Sequence, residues 1–360
     1  MSKFDELIAE FCPDGVEYRK LKDVTEMQRG TSLTKKNATE GIYPVVSGGT
    51  EPAFYCDIYN RENETITVAG SGAGAGYVQY WNEPIFVCDA FSIKGKEDNL
   101  TKYIYYCLSN MQDKIFATKT GGGIPHVYIS SIENFVIPLP PLPVQQEIVR
   151  ILDNFTELTA ELTAELTARR KQYEYYRDLL LTFGDEVEWM ILSEIAEIGT
   201  GSSNTNEELE DGKYPFFVRS QEVRRKNTYE YDETAIITSG DGVGVGKIFH
   251  YVEGKYALHQ RAYRIHITDN RVIPKYYFYY MKSAFLPYIE KSSFHSSVTS
   301  IRRPMLNNFP VPVPPLKEQE RIVAILDRFD ALCNDLTSGL PAEIEARQKQ
   351  YEYYRDKLLS

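Results

Sequence analysis

KQYEYYRD, residues Lys171 to Asp178, recurs without a change as Lys349 to Asp356. An identity of eight residues is not a product of composition, and the repeat extends outward from it. IVRILDNF at Ile148–Phe155 answers IVAILDRF at Ile322–Phe329, an offset of 322 − 148 = 174. Pro138, Pro140 and Pro141 match Pro312, Pro314 and Pro315; Gly72, Gly74 and Gly76 match Gly242, Gly244 and Gly246. Val16-Glu17-Tyr18 matches Val187-Glu188-Trp189. A period this long describes two tandem domains, each followed by a long polar helix, and not a solenoid of short repeats.

The chain of 360 residues is long enough for two domains that each bury a core. Its formal net charge of −11 gives no global basic signal, so any polyanion must be met by local basic residues. Five scattered cysteines, Cys12, Cys56, Cys88, Cys107 and Cys333, form no CxxC pair and therefore neither a disulfide framework nor a zinc site. The start, MSKFDELIAEF, has acids where a signal peptide needs an apolar run, and no segment reaches membrane-spanning length. These features fit a soluble cytoplasmic protein that makes no use of a membrane.

Ser2 to Phe11 reads as a short amphipathic helix ended by Pro13-Asp14-Gly15. From Val16 to about Pro143, short runs rich in Val, Ile, Tyr and Thr alternate with Gly, Asn and Pro. Strands are expected at Ile42–Ser47, Thr65–Ala69, Tyr77–Trp81 and Pro84–Cys88, and a helix at Lys102–Ser109. The domains are placed at 1–143 and 187–316, and the helices at 144–186 and 317–360.

In the first helical stretch, apolar or aromatic residues fall at Val144, Ile148, Ile151, Phe155, Leu158, Leu162, Leu166, Tyr173, Tyr176 and Leu180, the spacing of a coiled-coil seam. The one place where a step of four follows a step of four, Leu158 to Leu162 to Leu166, lies in a tandem repeat, ELTA at Glu157, Glu161 and Glu165, which acts as a stutter. The second seam runs through Ile322, Ile325, Phe329, Leu332, Leu336, Leu340, Ile344, Tyr351, Tyr354 and Leu358. Ser338-Gly339-Leu340-Pro341 predicts a kink or short break in it. Helices of this length and polarity are marginal alone, so the seams are expected to pair as an antiparallel coiled coil, each helix about 60 Å long. The alternative is that each helix lies on its own domain.

AGSGAGAGY at Ala69–Tyr77 and SGDGVGVGK at Ser239–Lys247 are the loudest local motifs. The second is no phosphate loop, because Asp241 stands where a glycine is needed and Ile248 where a hydroxyl is needed. The choice is between a tightly packed glycine hairpin and bare backbone that approaches a polyanion, with Ser71 and Lys247 alongside. Asp241, Glu253 and Lys255 loosely match a metal nuclease cluster, but the first domain has Ser71 and Glu83 followed by Pro84-Ile85. Catalysis is therefore not expected. PLPPLP at Pro138–Pro143 reads as a rigid connection more readily than as a polyproline ligand.

Residues suited to DNA fall in loops. Candidates are Arg29, Lys35, Lys36, Ser71, Lys119, Thr120 and His126 in the first domain. In the second they are Arg219, Gln221, Arg224, Arg225, Lys247, His259, Gln260, Arg261, Arg302 and Arg303, the last two after the polar run Ser292–Ser300. Arg and Gln suit base edges, while Lys and Ser/Thr mostly position phosphates. Solvated surface charge explains any one of them as well. Tyr173, Tyr175, Tyr176, Tyr351, Tyr353 and Tyr354 could dock partners, or could pack the helices.

With its two domains, the LPPL and VPPL junctions, the glutamine–glutamate pairs at the helix starts (Gln146-Glu147 and Gln319-Glu320) and the ELTA run, the whole chain resembles the specificity subunit of type I restriction-modification enzymes. The resemblance implies an α+β protein with two tandem α/β target-recognition domains. It implies a non-catalytic reader of double-stranded DNA, each domain taking half of a bipartite, asymmetric site, with adenine methylated. It also implies two methyltransferase (M) subunits as partners, and restriction (R) subunits reached through them. No cofactor would be bound by this chain; S-adenosylmethionine, ATP and Mg would belong to the partner subunits. The other class considered is a silent, solitary DNA-binding scaffold with no active methyltransferase.

Overall fold

A computed structural model describes residues 3–96, 99–291, 300–335 and 337–359. The chain packs into two compact units, Met1–Thr163 with Ile344–Ser360, and Ala164–Glu343. Each unit holds one recognition domain, the start of the helix that follows it, and the end of the other helix.

In the first unit, four antiparallel strands stand in the order Thr25–Arg29, Ala90–Gly95, Thr65–Ala69, Val78–Trp81. A second sheet sets Tyr43–Val46 antiparallel to Phe54–Cys56 and parallel to Phe86–Val87. Thr65–Ala69 is buried along its whole length, as its unbroken β-branched run requires. The Thr101–Asn110 helix covers the larger sheet with Tyr103, Ile104, Cys107 and Leu108. The Lys3–Phe11 helix adds Phe4, Leu7 and Ile8 to the same core.

The second unit repeats this arrangement with one difference. Its strands form a single six-stranded sheet, because Phe249–Leu258 runs unbroken from Tyr231–Ser239 to Tyr214–Phe217. The first unit has Val78–Trp81 and Phe86–Val87 in its place. Pro84 lies in the gap, and a residue without an N–H cannot continue the ladder. Pro274–Lys291 is the covering helix; Tyr276, Tyr277, Tyr279, Met281 and Phe285 are buried in the core.

Each recognition domain is fastened to its own helix by the same polar groups. Gln145 is buried, accepts from Leu100 N at 3.1 Å and donates to Pro140 O at 2.9 Å. Gln319 accepts from Ile273 N and donates to Arg271 O and Pro314 O, all at 2.8 Å. Structurally, Gln319 corresponds to Gln145, one residue before the Gln146-Glu147 pair singled out in the sequence. Tyr106 donates to Asp153, and Tyr279 to Asp327, both at 2.5 Å. The proline junctions are thus held rigidly against the domains.

The first long helix is continuous from Leu142 to Leu180. In the second unit, Arg170 reaches Cys333 O at 3.5 Å while Tyr173 and Tyr176 meet Phe329, so the two helices there run antiparallel. In the first unit Phe155 stacks on Tyr354, with ring centroids 5.4 Å apart. Leu158, Leu162 and Leu166 are half-buried.

The second helical region breaks between Leu316–Asn334 and Leu340–Leu358, somewhat earlier than the expected Ser338–Pro341. Asp335 accepts from Thr337 N at 2.7 Å and from the Ser338 hydroxyl at 2.5 Å, which closes the turn. A Cβ on Gly339 would stand 2.6 Å from Ala331 O. Pro341 is the second residue of the new helix, where its missing N–H costs nothing. Leu336 lies outside the described residues. Among those described, no helix is long and apolar enough to cross a membrane.

Candidate nucleic-acid interface

Both glycine motifs are hairpins with tight packing. Thr65–Ala69 turns into Val78–Trp81, and Tyr231–Ser239 into Phe249–Leu258. Positive φ falls at equivalent places, Gly72 (79°) with Gly242 (86°) and Gly76 (84°) with Gly246 (70°), where a Cβ would be strained. The tips stay open: Ala73 is exposed and Val243 is 98 % exposed.

Beside each hairpin lies a cleft built on the same backbone bonds. In the first unit Gly70 N donates to Asp89 O at 3.0 Å, and Val127 N to Gly70 O at 3.1 Å. In the second, Gly240 N donates to Arg261 O at 2.9 Å, and Ile301 N to Gly240 O at 2.8 Å. Ser71 bridges His126 as Asp241 bridges Ser300. Equivalent positions are thus fixed by the main chain, and the side chains on them differ.

The first cleft, of about 170 Å³, is lined by Arg29, Asp89, His126 and Tyr128. The Ser71 hydroxyl donates to Asp89, and the His126 ring stacks on Tyr128 at 5.9 Å. Thr120 and His126 exchange backbone bonds of 2.9 and 2.8 Å across the turn that holds Gly121–Gly123. The second cleft, of about 330 Å³, is lined by Thr200, Asp241, Gln260, Arg261, Ser300 and Arg302. Here Asp241 binds two guanidinium groups, Arg219 at 2.7 Å and Arg261 at 3.2 Å. Burial opposes the Asp241 charge, but the hydrogen bonds and charges of Arg219 and Arg261 outweigh it and hold its carboxyl below the usual range.

Several candidates lie elsewhere. His259 is buried, so it is corrected from a DNA contact to a shaper of the loop: its Nδ1 accepts from Arg261 N at 3.0 Å. Burial, and then the Arg219 charge, push its pKa down, which keeps it the neutral acceptor that this bond needs. Arg224 pairs with Glu208, and Arg225 donates to Gly212 O at 2.6 Å, so both tie down the neighbouring loop. Arg303 donates to Ile198 O. Lys119 lies over the Phe116 ring at 4.1 Å. Lys35 and Lys36 sit on a short exposed 3-10 turn, and Gln221 and Lys247 are exposed outside the cleft linings. Of the polar run Ser292–Ser300, residues 292–299 lie outside the described residues.

The nuclease-like trio does not assemble. Asp241 is held by arginines, Glu253 faces Thr234 in mid-strand, and Lys255 lies over Tyr229 at 4.6 Å. Among the described residues, no group of His, Cys, Asp and Glu is placed to hold a metal ion.

The tyrosines divide by burial. Tyr173 is buried against Phe329, and Tyr351 packs on the first core, so packing accounts for both. Tyr176 stacks on Phe329 and Tyr354 on Phe155. Tyr175 and Tyr353 remain 65 % and 63 % exposed, each edge-on to the next tyrosine at 5.4 Å.

Asp89 and Tyr128 are not basic and by themselves carried no signal in the sequence, where Asp241 stood out only as a misfit in a phosphate loop and as a metal ligand. The signal lay between the repeats, since Asp89 and Arg261 follow equivalent strands and differ in charge.

Residues 13–169 and 184–346 each match the family described as type I restriction modification DNA specificity domain. The chain is 34 % identical to the specificity subunit of the type I restriction enzyme EcoR124I/EcoR124II of Escherichia coli, over 96 % of this chain and 94 % of that one. A type I restriction-modification S subunit structure from M. genitalium superposes with a TM-score of 0.69 at 20 % identity, covering 96 % of each chain. The HsdS subunit of Thermoanaerobacter tengcongensis gives 0.50 at 17 % identity, over 96 % and 97 %. With the matched domain present twice and the relative aligned from end to end, the chain belongs to the specificity subunits of type I restriction-modification enzymes.

Proposed function

We propose that each unit reads one half of a bipartite, asymmetric DNA site through its glycine-hairpin cleft, and that the helices set the distance between the halves. The observation that carries this reading is the pair of clefts: one backbone framework presenting two different sets of hydrogen-bonding groups. Two recognition surfaces of equal specificity would need no such difference. The acidic chain offers few phosphate contacts of its own, so partner subunits would supply much of the salt-dependent attraction. In this reading the chain is non-catalytic. Two methyltransferase subunits dock on the repeated helix ends, with Tyr175 and Tyr353 as contact residues, and restriction subunits attach through them. S-adenosylmethionine, ATP and Mg are carried by those subunits.

The test is a genome-wide map of methylated adenines with and without this gene. Loss of one split motif on deletion supports the reading; an unchanged map favours a solitary scaffold, which would also fail to copurify with a methyltransferase. The ELTA run serves as a ruler: one copy adds about 6 Å of helix. Removing a copy is expected to shorten the unread spacer by about one base pair, at 3.4 Å per pair. An unchanged spacer would remove the ruler from the proposal.

A further inference from the structure

The second cleft holds an arginine prepared for a directional contact. Arg261 has a side chain 62 % exposed, yet its Nη1 is fixed on Asp241 Oδ2 at 3.2 Å. Among the described residues, no further partner engages the rest of its fork. Asp241 is itself anchored: Arg219 holds its other oxygen, and the Ser239 hydroxyl donates to its carbonyl at 2.8 Å. Its neighbour Gly240 is bonded to the Arg261 carbonyl. The two loops therefore present the guanidinium in one orientation. A carboxylate also offsets part of the arginine charge, which weakens a phosphate contact, where charge matters most, more than a base contact, where direction does. Beside Asp241, a Cβ placed on Gly242 would meet nothing within 4 Å, so the chain next to the carboxylate leaves open space.

We propose that Arg261 determines specificity for one guanine in the half-site read by the second unit, through its O6 and N7 acceptors, and that Asp241 is the positioning residue that aims it. In the first unit Asp89 occupies the place of Arg261 and receives the Ser71 hydroxyl. That position is an acceptor and suits an exocyclic amino group, cytosine N4 or adenine N6. The inference rests on the reading that this chain selects the methylated motif, and it assigns one base of that motif to one side chain.

The experiment replaces the chromosomal gene with Arg261→Ala, Arg261→Lys, Asp241→Asn and a deletion, then maps methylation in each strain. Arg261→Ala and Arg261→Lys are expected to relax one guanine in a single half-motif, with discrimination there falling about tenfold or more. The other half and the spacing should stay as they were. Asp241→Asn should relax the same position to a smaller degree. A motif unchanged in both Arg261 variants overturns the assignment. So does a uniform loss over all sites in Arg261→Ala that Arg261→Lys restores in full, since a phosphate contact or a loop anchor behaves in that way. Relaxation at a guanine in Arg261→Ala with no change in Asp241→Asn would remove the positioning role. An unchanged motif in the deletion strain would instead sink the reading on which the assignment stands.

Discussion

In the first unit Ser71 donates to Asp89; at the same two positions of the second unit, Asp241 accepts from Arg261. A few strands away, the two units do the same thing with the same residues. Gln145 and Gln319 hold the proline junctions, and Phe155–Tyr354 and Phe329–Tyr176 stack at 5.4 and 6.0 Å. Arg355 lies over Tyr351 at 5.7 Å as Arg177 lies over Tyr173 at 5.9 Å. Where geometry must be shared, the side chains agree. Where the backbone already fixes the geometry, they are free to diverge, and the divergence is a reversal of donor and acceptor.

The largest test of the shared framework is at the buried glutamines. Gln319→Ala removes three hydrogen bonds and leaves Ile273 N and two carbonyls without a partner, an expected loss of about 3 kcal/mol. Gln145→Ala removes two, for about 2 kcal/mol. Urea denaturation of the two variants measures both; a loss below that of an exposed substitution would show that the junctions are held by packing alone.

Next come the hairpins, where equivalent glycines should respond unequally. A Cβ on Gly74 meets backbone, Gly48 O at 2.5 Å, whereas one on Gly244 meets the tip of Ile248 at 2.2 Å, and that side chain can move. Gly74→Ala is expected to cost about 2 kcal/mol and Gly244→Ala less than half as much. Thermal melts compare them directly, and equal losses would mean that the Ile248 side chain is held as firmly as the Gly48 backbone.

The smallest expected effect concerns a group that only the first unit has. The Arg150 hydrogen bond, against the opposition of burial and with the aid of Lys3, pulls the Glu147 pKa down to about 2 from an ordinary 4.5. A depressed carboxyl stabilises the fold above its unfolded value, and that stability drains away as the pH falls from about 4.5 toward 2. Because Lys3 and Arg150 are largely solvated, the contribution is about 1 kcal/mol. Glu147→Gln should flatten that part of the pH–stability curve, while a curve of unchanged slope would assign acid sensitivity elsewhere. Position 321, its equivalent, is an arginine whose hydrogen bond holds the Glu318 carboxyl below its usual range, so the acid step from that exposed pair should remain in the Glu147→Gln variant.

The fold was legible because its signals are local. The duplication, the proline junctions, the helix starts, the Thr65–Ala69 strand and the existence of a break near Gly339 all follow from patterns a few residues long. The site was legible only in part. Arg29, His126, Gln260, Arg261 and Arg302 were found as charged or polar loop residues, but so were Arg224, Arg225 and Arg303, which the fold spends on a carboxylate and on carbonyls. His259 was indistinguishable from His126 until one was buried and the other placed at a cleft rim.

By itself, then, the sequence determined that this protein is one design used twice, with long polar helices and with its differences concentrated in loops. Repetition and periodicity are properties of neighbours along the chain. Only the tertiary structure decided which loops meet: Arg29, Ser71, Asp89 and His126 in one cleft, and Thr200, Asp241, Arg261 and Arg302 in the other. These residues are far apart in sequence, and what joins them is sheet pairing and backbone hydrogen bonds between distant strands. The same packing sends each KQYEYYRD to the helix start of the other repeat, because an aromatic seam must be covered by whichever apolar surface the folded chain brings to it.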